Sequence, residues 1–275
     1  MGNYKNWEIQ KHKNYFHRGD WNESLFKNSI AIVGSRQMTR YGREVVDKFV
    51  CDFVANGVTT ISGFMYGVDT EAANKTVEYG GRHIAVFGCG LDHIYPAENE
   101  KLYFQILESG GLVISEYEPD AKPHLWKFPQ RNKIVVDLAS IGVLVVEAGE
   151  NSGSLVTAKL AKKAGKKVWA VPGPINSKVS VGCNELIKNG EARMATAAKD
   201  IAEFQMTNDK LQIKNKPELP KQELEIFKLL QSEPMDIDEI ARKTDKSVVE
   251  IGTTLSIMGI KGLVTESGGK YFKCN

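Results

Sequence analysis

The sequence lacks both a strong excess of one charge and any long hydrophobic run. Its 36 Lys and Arg residues nearly balance 34 Asp and Glu residues, which leaves a net charge of +2. A polyanion must therefore be bound by a local basic patch, because the field of the whole molecule is weak. No apolar stretch approaches the roughly 20 residues that span a bilayer, and the N-terminus has no apolar core of a signal peptide. We therefore expect a cytoplasmic protein without a membrane partner.

Residues that hold metals or perform covalent catalysis are also scarce or unsuitably spaced. The four cysteines, at positions 51, 89, 183 and 274, form no C-x-x-C pair, which argues against a zinc site or a disulfide framework. The five histidines show no ligand spacing either. The chain has no Walker A loop, no G-x-S-x-G elbow and no H-E-x-x-H helix. We therefore predict no metal, no cofactor and no enzymatic activity.

Short β-branched runs alternate with amphipathic stretches through the first three quarters of the chain. The runs have the length and composition of buried parallel strands, and the stretches between them have helical periodicity. The strand-like runs occupy residues 29–33, 59–62, 84–87, 112–115, 143–146 and 168–171. This alternation predicts an α/β fold, with helices on both faces of a mostly parallel sheet.

Composition divides the chain into four segments. Residues 1–28 are polar and aromatic without periodicity, and we expect this lead-in segment to pack its aromatic side chains on the main domain, residues 29–204. Residues 205–220 are polar, contain two prolines and are predicted to be a linker. Residues 221–275 contain three helical stretches followed by two short strand-like runs, which is the pattern of a winged helix-turn-helix domain.

The predicted winged-helix domain is slightly acidic, with eight Lys and Arg residues against nine Asp and Glu residues. Binding of duplex DNA depends on basic residues that neutralise phosphates. We therefore expect this domain to bind a protein or to pack within the molecule rather than to recognise duplex DNA.

Three successive predicted strands end in small residues. The turns are Gly34-Ser35-Arg36, Ser62-Gly63 and Gly88-Cys89-Gly90. Open parallel sheets bind ligands outside the carboxyl ends of their strands, where glycine lets a ligand approach the backbone closely. The turns therefore predict a glycine-lined binding rim with Arg36 on it, although the first is not the G-x-G-x-x-G fingerprint of dinucleotide sites. Arg36 could instead be a surface residue in a salt bridge.

A small polar loop opens the helix between the fifth and sixth predicted strands. Residues 151–154, Asn-Ser-Gly-Ser, precede a helical stretch at 155–164. Free backbone N–H groups, two hydroxyls and the positive end of the helix dipole suit such a loop to a phosphate. Just upstream, Arg131 and Asn132 could supply a fork of donors to the same anion. Alternatively, Ser152 or Ser154 only caps the helix.

Residues 117–130 are predicted to form an irregular loop that contains three prolines and several aromatic residues. Trp126 and Phe128 lie beside Lys122, Lys127 and Arg131, an arrangement that suits base stacking next to phosphate contacts. The two aromatic residues could equally be buried anchors of a long loop.

Two polar residues are predicted to begin helices. Asp69 precedes a helical stretch at 70–79, and Asn99 precedes one that ends at residue 107. Both residue types accept hydrogen bonds from N–H groups of a first helical turn. We therefore expect structural roles for both.

Seven motifs, in this order and at this spacing, resemble the DNA-processing protein DprA/Smf family. The motifs are AIVGSR at 31–36, SGFMYGVDTEAA at 62–73, AVFGCGLDHIYP at 85–96, ISEY at 114–117, FPQRNKIV at 128–135, VVEAGENSGSLVTA at 145–158 and AVPGPI at 170–175. The resemblance runs from about Gly19 to the C-terminus. It implies an extended Rossmann-like domain that binds single-stranded DNA, forms a homodimer and loads RecA recombinase. It also implies protection of incoming DNA during natural transformation and recombination.

The resemblance also implies a set of DNA-contacting residues. Arg36 would lie in the DNA pocket, and residues 152–154 with Thr157 would hold a backbone phosphate. Together with the predicted rim, the candidate DNA- and phosphate-binding residues are Gly34, Ser35, Arg36, Ser62, Gly63, Tyr66, Gly88, Gly90, Phe128, Arg131, Asn132, Lys133, Ser152, Gly153, Ser154, Thr157 and Lys163. Lys133 and Lys163 are the weaker candidates.

The sequence departs from the family pattern at four positions near the expected pocket. Tyr66, Asn151 and Lys133 stand where the family often has arginine, and Asn74 stands where it often has histidine. Fewer positive charges predict weaker DNA binding and a smaller salt dependence. The ring of Tyr66 could compensate in part by stacking on a base.

Two other functions remain open from the sequence. One is a phosphoribohydrolase-like enzyme of the same Rossmann-like superfamily, and the other is a nucleotide-binding sensor without turnover. The enzymes carry P-G-G-x-G-T-x-x-E at the helix start, where this chain has NSGSLVTA, so their motif and its glutamate are missing. Glu147 could act as a base, or it could be a strand-end residue that orients the neighbouring loop.

Overall fold

The computed structural model describes residues 8–201, 220–230, 233–260 and 263–273. The described residues fall into two compact units, one within Met1–Asn215 and one within Lys216–Asn275. Of the predicted linker at 205–220, only Pro220 is described; the remainder lies outside the described residues, as do Trp7 and Cys274.

A nine-stranded sheet forms the centre of the larger unit. The strands are β1 (Gln10–His12), β2 (Tyr15–Arg18), β3 (Ser29–Gly34), β4 (Thr59–Ser62), β5 (His83–Phe87), β6 (Leu112–Ser115), β7 (Gly142–Val146), β8 (Val168–Ala170) and β9 (Arg193–Met194). Their order in the sheet is β1-β2-β6-β5-β4-β3-β7-β8-β9. Strands β3 to β9 pair in parallel, whereas β2 pairs with β6 and β1 in antiparallel fashion.

Helices cover both faces of this sheet, as the sequence predicts. They are α1 (Ser24–Lys27), α2 (Arg40–Ala55), α3 (Val68–Glu78), α4 (Glu100–Glu108), α5 (Lys127–Leu138), α6 (Gly153–Lys163) and α7 (Val181–Lys188). Alternate residues of β3 enter different cores: Ile30 and Ile32 join the side chains of α2, while Ala31 and Val33 join those of α5 and α6. Because both faces are buried, β3, β5, β6, β7 and β8 are mainly apolar, which is why they stood out in the sequence.

The N-terminal segment contains more regular structure than its composition predicts. Tyr15, Trp21 and Phe26 pack against the core, but residues 10–18 also extend the sheet through β1 and β2. These strands are only three and four residues long, and their polar residues show no alternation, so the sequence carried no signal for them.

Two helix starts also differ from the predictions. Helix α5 begins at Lys127, inside the segment predicted to be an irregular loop, and it tolerates Pro129 because first-turn N–H groups need no helical partner. Asn99 precedes α4 without capping it, since its side chain donates instead to Thr70 Oγ1 at 2.8 Å.

The smaller unit has the predicted winged-helix arrangement. It contains α8 (Lys221–Leu229), α9 (Ile237–Thr244), α10 (Val248–Ile260), β10 (Val264–Ser267) and β11 (Lys270–Lys273). A capping box between Asp236 and Glu239 starts α9. Helix α10, in the position that usually contacts duplex DNA, has one charged residue, Glu250, whose sign opposes phosphate contact. The protein-binding role of this domain stays a prediction.

The described residues lack two structural features that mark broad classes of function. None of their helices combines the length and the apolar character needed to cross a bilayer. The same residues contain no group of three or more His, Cys, Asp or Glu side chains arranged to hold a metal ion.

Candidate functional site

A pocket of about 950 Å³ opens at the carboxyl ends of the parallel strands. It lies where β3 and β7 are neighbours, which is the point where the strand order changes direction and where open α/β sheets bind ligands. The pocket walls come from the turn after β3, the start of α3, the start of α5, the turn that opens α6 and the loop after β8. The lining residues include Gly34, Ser35, Arg36, Gln37, Gly63, Tyr66, Asp69, Leu125, Phe128, Arg131, Asn132, Asn151, Ser152, Gly153, Ser154, Thr157 and Lys178.

Arg36 is the exposed cation on the turn after β3. The turn itself is fixed, because Val68 N donates to the Ser35 carbonyl at 3.1 Å and Gln37 N donates to Ser35 Oγ at 3.1 Å. Among the residues that the structure describes, the Arg36 side chain makes neither a hydrogen bond nor an ion pair. The alternative interpretation of Arg36 as a salt-bridged surface residue is therefore wrong, and its guanidinium is available to an anion.

Arg131 differs sharply from Arg36, although the sequence suggested the same role for both. Its side chain is only 3% exposed, and Nη1 donates to the Gly63 carbonyl and, at 2.5 Å, to the Val86 carbonyl. Burial lowers the pKa of Arg131 to about 10, against an opposing effect of the Asp69 carboxylate. The prediction that Arg131 offers a fork of free donors is wrong, because its guanidinium supports two strand ends from beneath the pocket.

The glycines of the predicted rim make room for the protein's own groups. A Cβ on Gly63 would lie 2.4 Å from the Arg131 guanidinium, and one on Gly88 would lie 2.7 Å from the Phe128 ring. A Cβ on Gly90 would meet the Glu118 carbonyl at 2.1 Å. Gly34 and Gly63 still line the pocket, but Gly88 and Gly90 lie outside it, so the predicted continuous rim is wrong at its third turn.

Ser62 is a second correction to the predicted rim. Its side chain is fully buried beneath the pocket, where Oγ donates to the Asp69 carbonyl at 3.2 Å and lies 3.1 Å from His83 Nε2. Ser62 therefore links a strand to the start of α3 and does not line the pocket.

Asp69 belongs to the pocket, a role that the sequence analysis missed. The residue before α3 is Gly67, and Asp69 is the second residue of the helix rather than its cap. Its buried carboxylate accepts from Met65 N at 3.3 Å and lines the pocket near Arg131 and Arg36. Burial raises the pKa of Asp69 to about 6, even though Arg131, backbone N–H groups and Arg36 act in the opposite direction.

The turn that opens α6 both caps the helix and lines the pocket. Ser152 Oγ accepts from Ser154 N at 3.3 Å and so caps the helix, and the two hydroxyls lie 2.7 Å apart. Gly153 has open space where a Cβ would point, so its backbone can be approached closely. Thr157 Oγ1 donates to the Gly153 carbonyl at 3.3 Å. The residues that cap α6 therefore also form part of the pocket wall.

Lys133 and Lys163 lie outside the pocket. Lys133 follows Arg131 by two residues on α5, which at 100° per residue turns its exposed side chain to the other side of the helix. Lys163 is the last residue of α6, roughly 15 Å along the axis from the turn at Gly153. Both weaker candidates are therefore excluded from the pocket.

The aromatic residues at the start of α5 divide into one buried and one exposed. Phe128 is 7% exposed, packs against Gly88 and stacks on Tyr95 with ring centroids 5.5 Å apart. The expectation that Phe128 is an exposed stacking residue is therefore wrong, although it forms part of the pocket wall. Lys127 is also buried and donates to the Lys122 carbonyl at 2.9 Å, so it is not a phosphate contact.

Glu147 anchors the loop that carries Arg36. Its carboxylate is buried and accepts from Thr39 N at 2.8 Å and, through a short hydrogen bond, from Thr39 Oγ1. Thr39 in turn caps α2, since its hydroxyl accepts from Gly42 N. These bonds favour the role of a strand-end residue that orients the loop over the role of a catalytic base.

We expect Glu147→Gln to destabilise the larger unit by about 2 kcal/mol, because an amide oxygen replaces a charged acceptor of two hydrogen bonds. Urea unfolding followed by tryptophan fluorescence measures the change. Glu150→Gln, which alters an exposed carboxylate three residues away, is the control and should stay within about 0.5 kcal/mol of wild type. Equal effects of the two variants would contradict the anchoring role.

Comparison with protein families places this geometry in a known group. Residues 9–206 match the family described as DNA recombination-mediator protein A, and residues 214–270 match the DprA winged helix domain. The chain belongs to the DNA recombination-mediator protein A family. The resemblance to the DprA/Smf proteins and the predicted fold class, an extended Rossmann-like domain with a C-terminal winged helix, are thereby confirmed.

Individual relatives agree with the family match. Protein Smf of Escherichia coli is 33% identical over 91% of this chain and 69% of its own length. The solved structure of DprA from Streptococcus pneumoniae is 40% identical, covers 70% of this chain and 66% of that one, and has a TM-score of 0.62. The solved structure of DNA processing protein A from Helicobacter pylori is 28% identical, covers 71% of this chain and 93% of that one, and has a TM-score of 0.63. The chain spans about two thirds of the length of the curated relatives it matches.

Only some of the four departures from the family pattern lie in the pocket. Tyr66 and Asn151 line the pocket, whereas Asn74 is exposed beside a different cavity and Lys133 lies outside the pocket. The Tyr66 hydroxyl donates to Glu98 Oε2 at 3.0 Å, and this bond raises the pKa of Tyr66. Only the first two changes therefore alter the chemistry of the pocket.

Sequence reasoning also missed Gln37, Leu125 and Lys178 as pocket residues. Lys178 follows β8 in the loop after Pro172-Gly173-Pro174. Since the carboxyl ends of parallel strands share one edge of the sheet, its position after a predicted strand was the available signal.

Proposed function

We propose that the pocket binds single-stranded DNA, with a backbone phosphate between Arg36 and the turn at residues 152–154. The observation that carries the proposal is the position of two groups in one concave site: an exposed guanidinium without a partner among the described residues, and a helix N-terminus with open space at Gly153. Both groups favour an anion, and Lys178 adds a third positive contribution from the loop after β8. The buried Arg131 supports this arrangement from below and is not assigned a direct contact.

The shape of the pocket favours a single strand over a duplex. A cavity of about 950 Å³ can accept a nucleobase only when the base is unstacked and unpaired. The half-exposed ring of Tyr66, fixed by its bond to Glu98, offers a face on which that base can stack. In agreement, the Helicobacter pylori relative is described in terms of its single-stranded DNA binding mode.

We further propose that the protein acts without catalysis, as a cytoplasmic recombination mediator. In this role a homodimer protects incoming single strands and loads RecA onto them during natural transformation. Family membership supports this role. The engagement of the Glu147 carboxylate by Thr39 argues against the phosphoribohydrolase alternative, because that carboxylate is not offered to a substrate.

Fluorescence anisotropy of a labelled oligo-dT, a matched duplex and free mononucleotides, at several salt concentrations, tests the DNA-binding step. We expect the single strand to bind more tightly than the duplex, with affinity that falls as salt rises. Saturable binding of mononucleotides without oligonucleotide binding would overturn the proposal and favour the nucleotide sensor.

Arg36→Ala should lower the affinity for oligo-dT about tenfold and reduce the slope of log K against log salt by about 0.7, because one phosphate contact is lost. Lys163→Ala removes the same charge at the far end of α6 and should change neither quantity. If both variants behaved alike, the contact with Arg36 would be disproved.

The mediator role needs two further measurements. Light scattering at micromolar concentrations should give the mass of a dimer, and a monomer mass throughout would contradict the homodimer. RecA filament assembly on oligonucleotides should be faster when the protein is added. An unchanged or slower rate would contradict RecA loading while leaving DNA binding intact.

A further inference from the structure

Trp126 is a large aromatic side chain that remains 58% exposed just before α5. Its neighbour Leu125 is 84% exposed and lines the pocket. The indole and the leucine side chain leave adjoining apolar surface in water beside the pocket. Trp126 does not itself line the pocket, but it directly follows a residue that does.

The Trp126 ring is held in place although it is exposed. The His124 ring lies almost parallel to it, at 10° with centroids 6.3 Å apart, and the Tyr117 ring meets it edge-on at 6.4 Å. Lys127 Nζ lies 5.6 Å from the indole centroid. A ring fixed before binding loses little conformational freedom when a ligand stacks on it.

We propose that Trp126 is a second base-stacking site, which takes the nucleotide next to the one held in the pocket. Aromatic faces bind successive bases of a single strand without sequence preference, whereas paired bases in a duplex present no free face. The inference rests on the proposed function, since it extends the same strand past Leu125. Trp126 would thus provide the stacking contact, independent of base sequence, that the buried Phe128 does not make.

A competing structural role is that Trp126 shelters the buried Lys127 ammonium. Tyr117 performs this role more directly, because Lys127 Nζ lies 4.6 Å from the Tyr117 ring centroid. Lys127 Nζ also donates a hydrogen bond to the Lys122 carbonyl. Removing the indole leaves both of these partners in place. The exposed ring is thus not required to satisfy Lys127.

The test compares oligo-dT of increasing length on wild type, Trp126→Phe and Trp126→Ala, by competition against a labelled strand. For wild type we expect each added nucleotide to raise affinity until the second base reaches Trp126. Trp126→Ala should lose on the order of tenfold for the longer strands and nothing for the shortest strand that fills the pocket. Trp126→Phe should retain most of the affinity, because a phenyl ring still stacks.

An abasic site scanned along the oligonucleotide adds an independent readout. One abasic position should weaken binding to wild type and have no further effect on Trp126→Ala. Met194→Ala, an equally exposed apolar residue on the outermost strand β9, is the control and should bind like wild type. Equal affinities of Trp126→Ala and wild type at all lengths would overturn the inference, whereas failure of wild type to bind any oligonucleotide would overturn the proposed function instead.

Discussion

Arg131→Ala is expected to destabilise the larger unit by roughly 3–5 kcal/mol, the usual loss when one partner of a buried charged arrangement is removed. The substitution leaves the carbonyls of Gly63 and Val86 without their donor. It also removes the positive charge that acts most strongly on the buried Asp69 carboxylate, and it opens a void beneath the strand ends. Each of these changes is unfavourable, because every abandoned group is buried and loses a charged partner.

Tryptophan fluorescence during urea unfolding measures this loss in the larger unit alone. All four tryptophans lie before residue 170, and Trp169 is fully buried in the core beneath the sheet. Arg36→Ala is the matched control: it removes the other pocket arginine from an exposed position and should shift stability by no more than about 0.5 kcal/mol. Similar unfolding curves for the two variants would contradict the supporting role of Arg131.

This contrast determines how binding data on the two arginines should be interpreted. Arg131→Ala is expected to lose DNA binding because Gly63 and the start of α3 lose their support. Arg36→Ala is also expected to lose DNA binding, but to fold normally. A loss of binding identifies a DNA contact only for a variant whose stability is unchanged, and we expect Arg36→Ala to be that variant.

The sequence predicted the sheet, the pocket edge and the small polar turn before α6 because each depends on local patterns. Buried parallel strands are continuous β-branched runs, and small residues after β3 and before α6 mark the binding edge. The position of Lys163 was also within reach, because the predicted helix at 155–164 already placed that residue in its last turn.

The burial of Arg131 and Phe128 could not be predicted in the same way. Their orientation follows from α5 starting at Lys127, a start that Pro129 and the preceding prolines conceal. Their partners, at Gly63, Val86 and Gly88, are 40 to 68 residues away along the chain. Two arginines with identical chemistry were therefore separable only by contacts that form between distant segments.

Asp69→Asn is expected to stabilise the larger unit at neutral pH by as much as roughly 3 kcal/mol. Burial raises the pKa of Asp69 from 3.8 to about 6, a shift of about two units at 1.36 kcal/mol each. The folded state therefore binds a proton more tightly than the unfolded state between these two values. The stabilising contribution of this proton is complete below about pH 4 and is lost as the pH rises through 6.

A carboxylate that weakens the fold at neutral pH fits a binding site better than a structural one. In the empty pocket the Asp69 charge partly offsets the repulsion between the exposed Arg36 and the buried Arg131. When a phosphate arrives, the same carboxylate opposes it. We therefore expect Asp69→Asn to bind oligo-dT more tightly than wild type at pH 7, and the two proteins to bind equally near pH 4.5, where Asp69 is protonated.

The difference in unfolding free energy between wild type and Asp69→Asn, measured from pH 4 to pH 8, isolates this residue because every other titrating group is common to both proteins. The difference should be near zero at pH 4, grow through pH 6 and level off above pH 7, with the asparagine variant more stable. Asp200→Asn should show almost no change over this pH range, since hydrogen bonds from Thr196 and Ala197 lower the pKa of Asp200 and its contribution is lost only below about pH 4. A pH-independent difference would mean that Arg131 fully offsets the effect of burial on the Asp69 carboxylate. The proposed destabilising charge of Asp69 in the pocket would then be disproved.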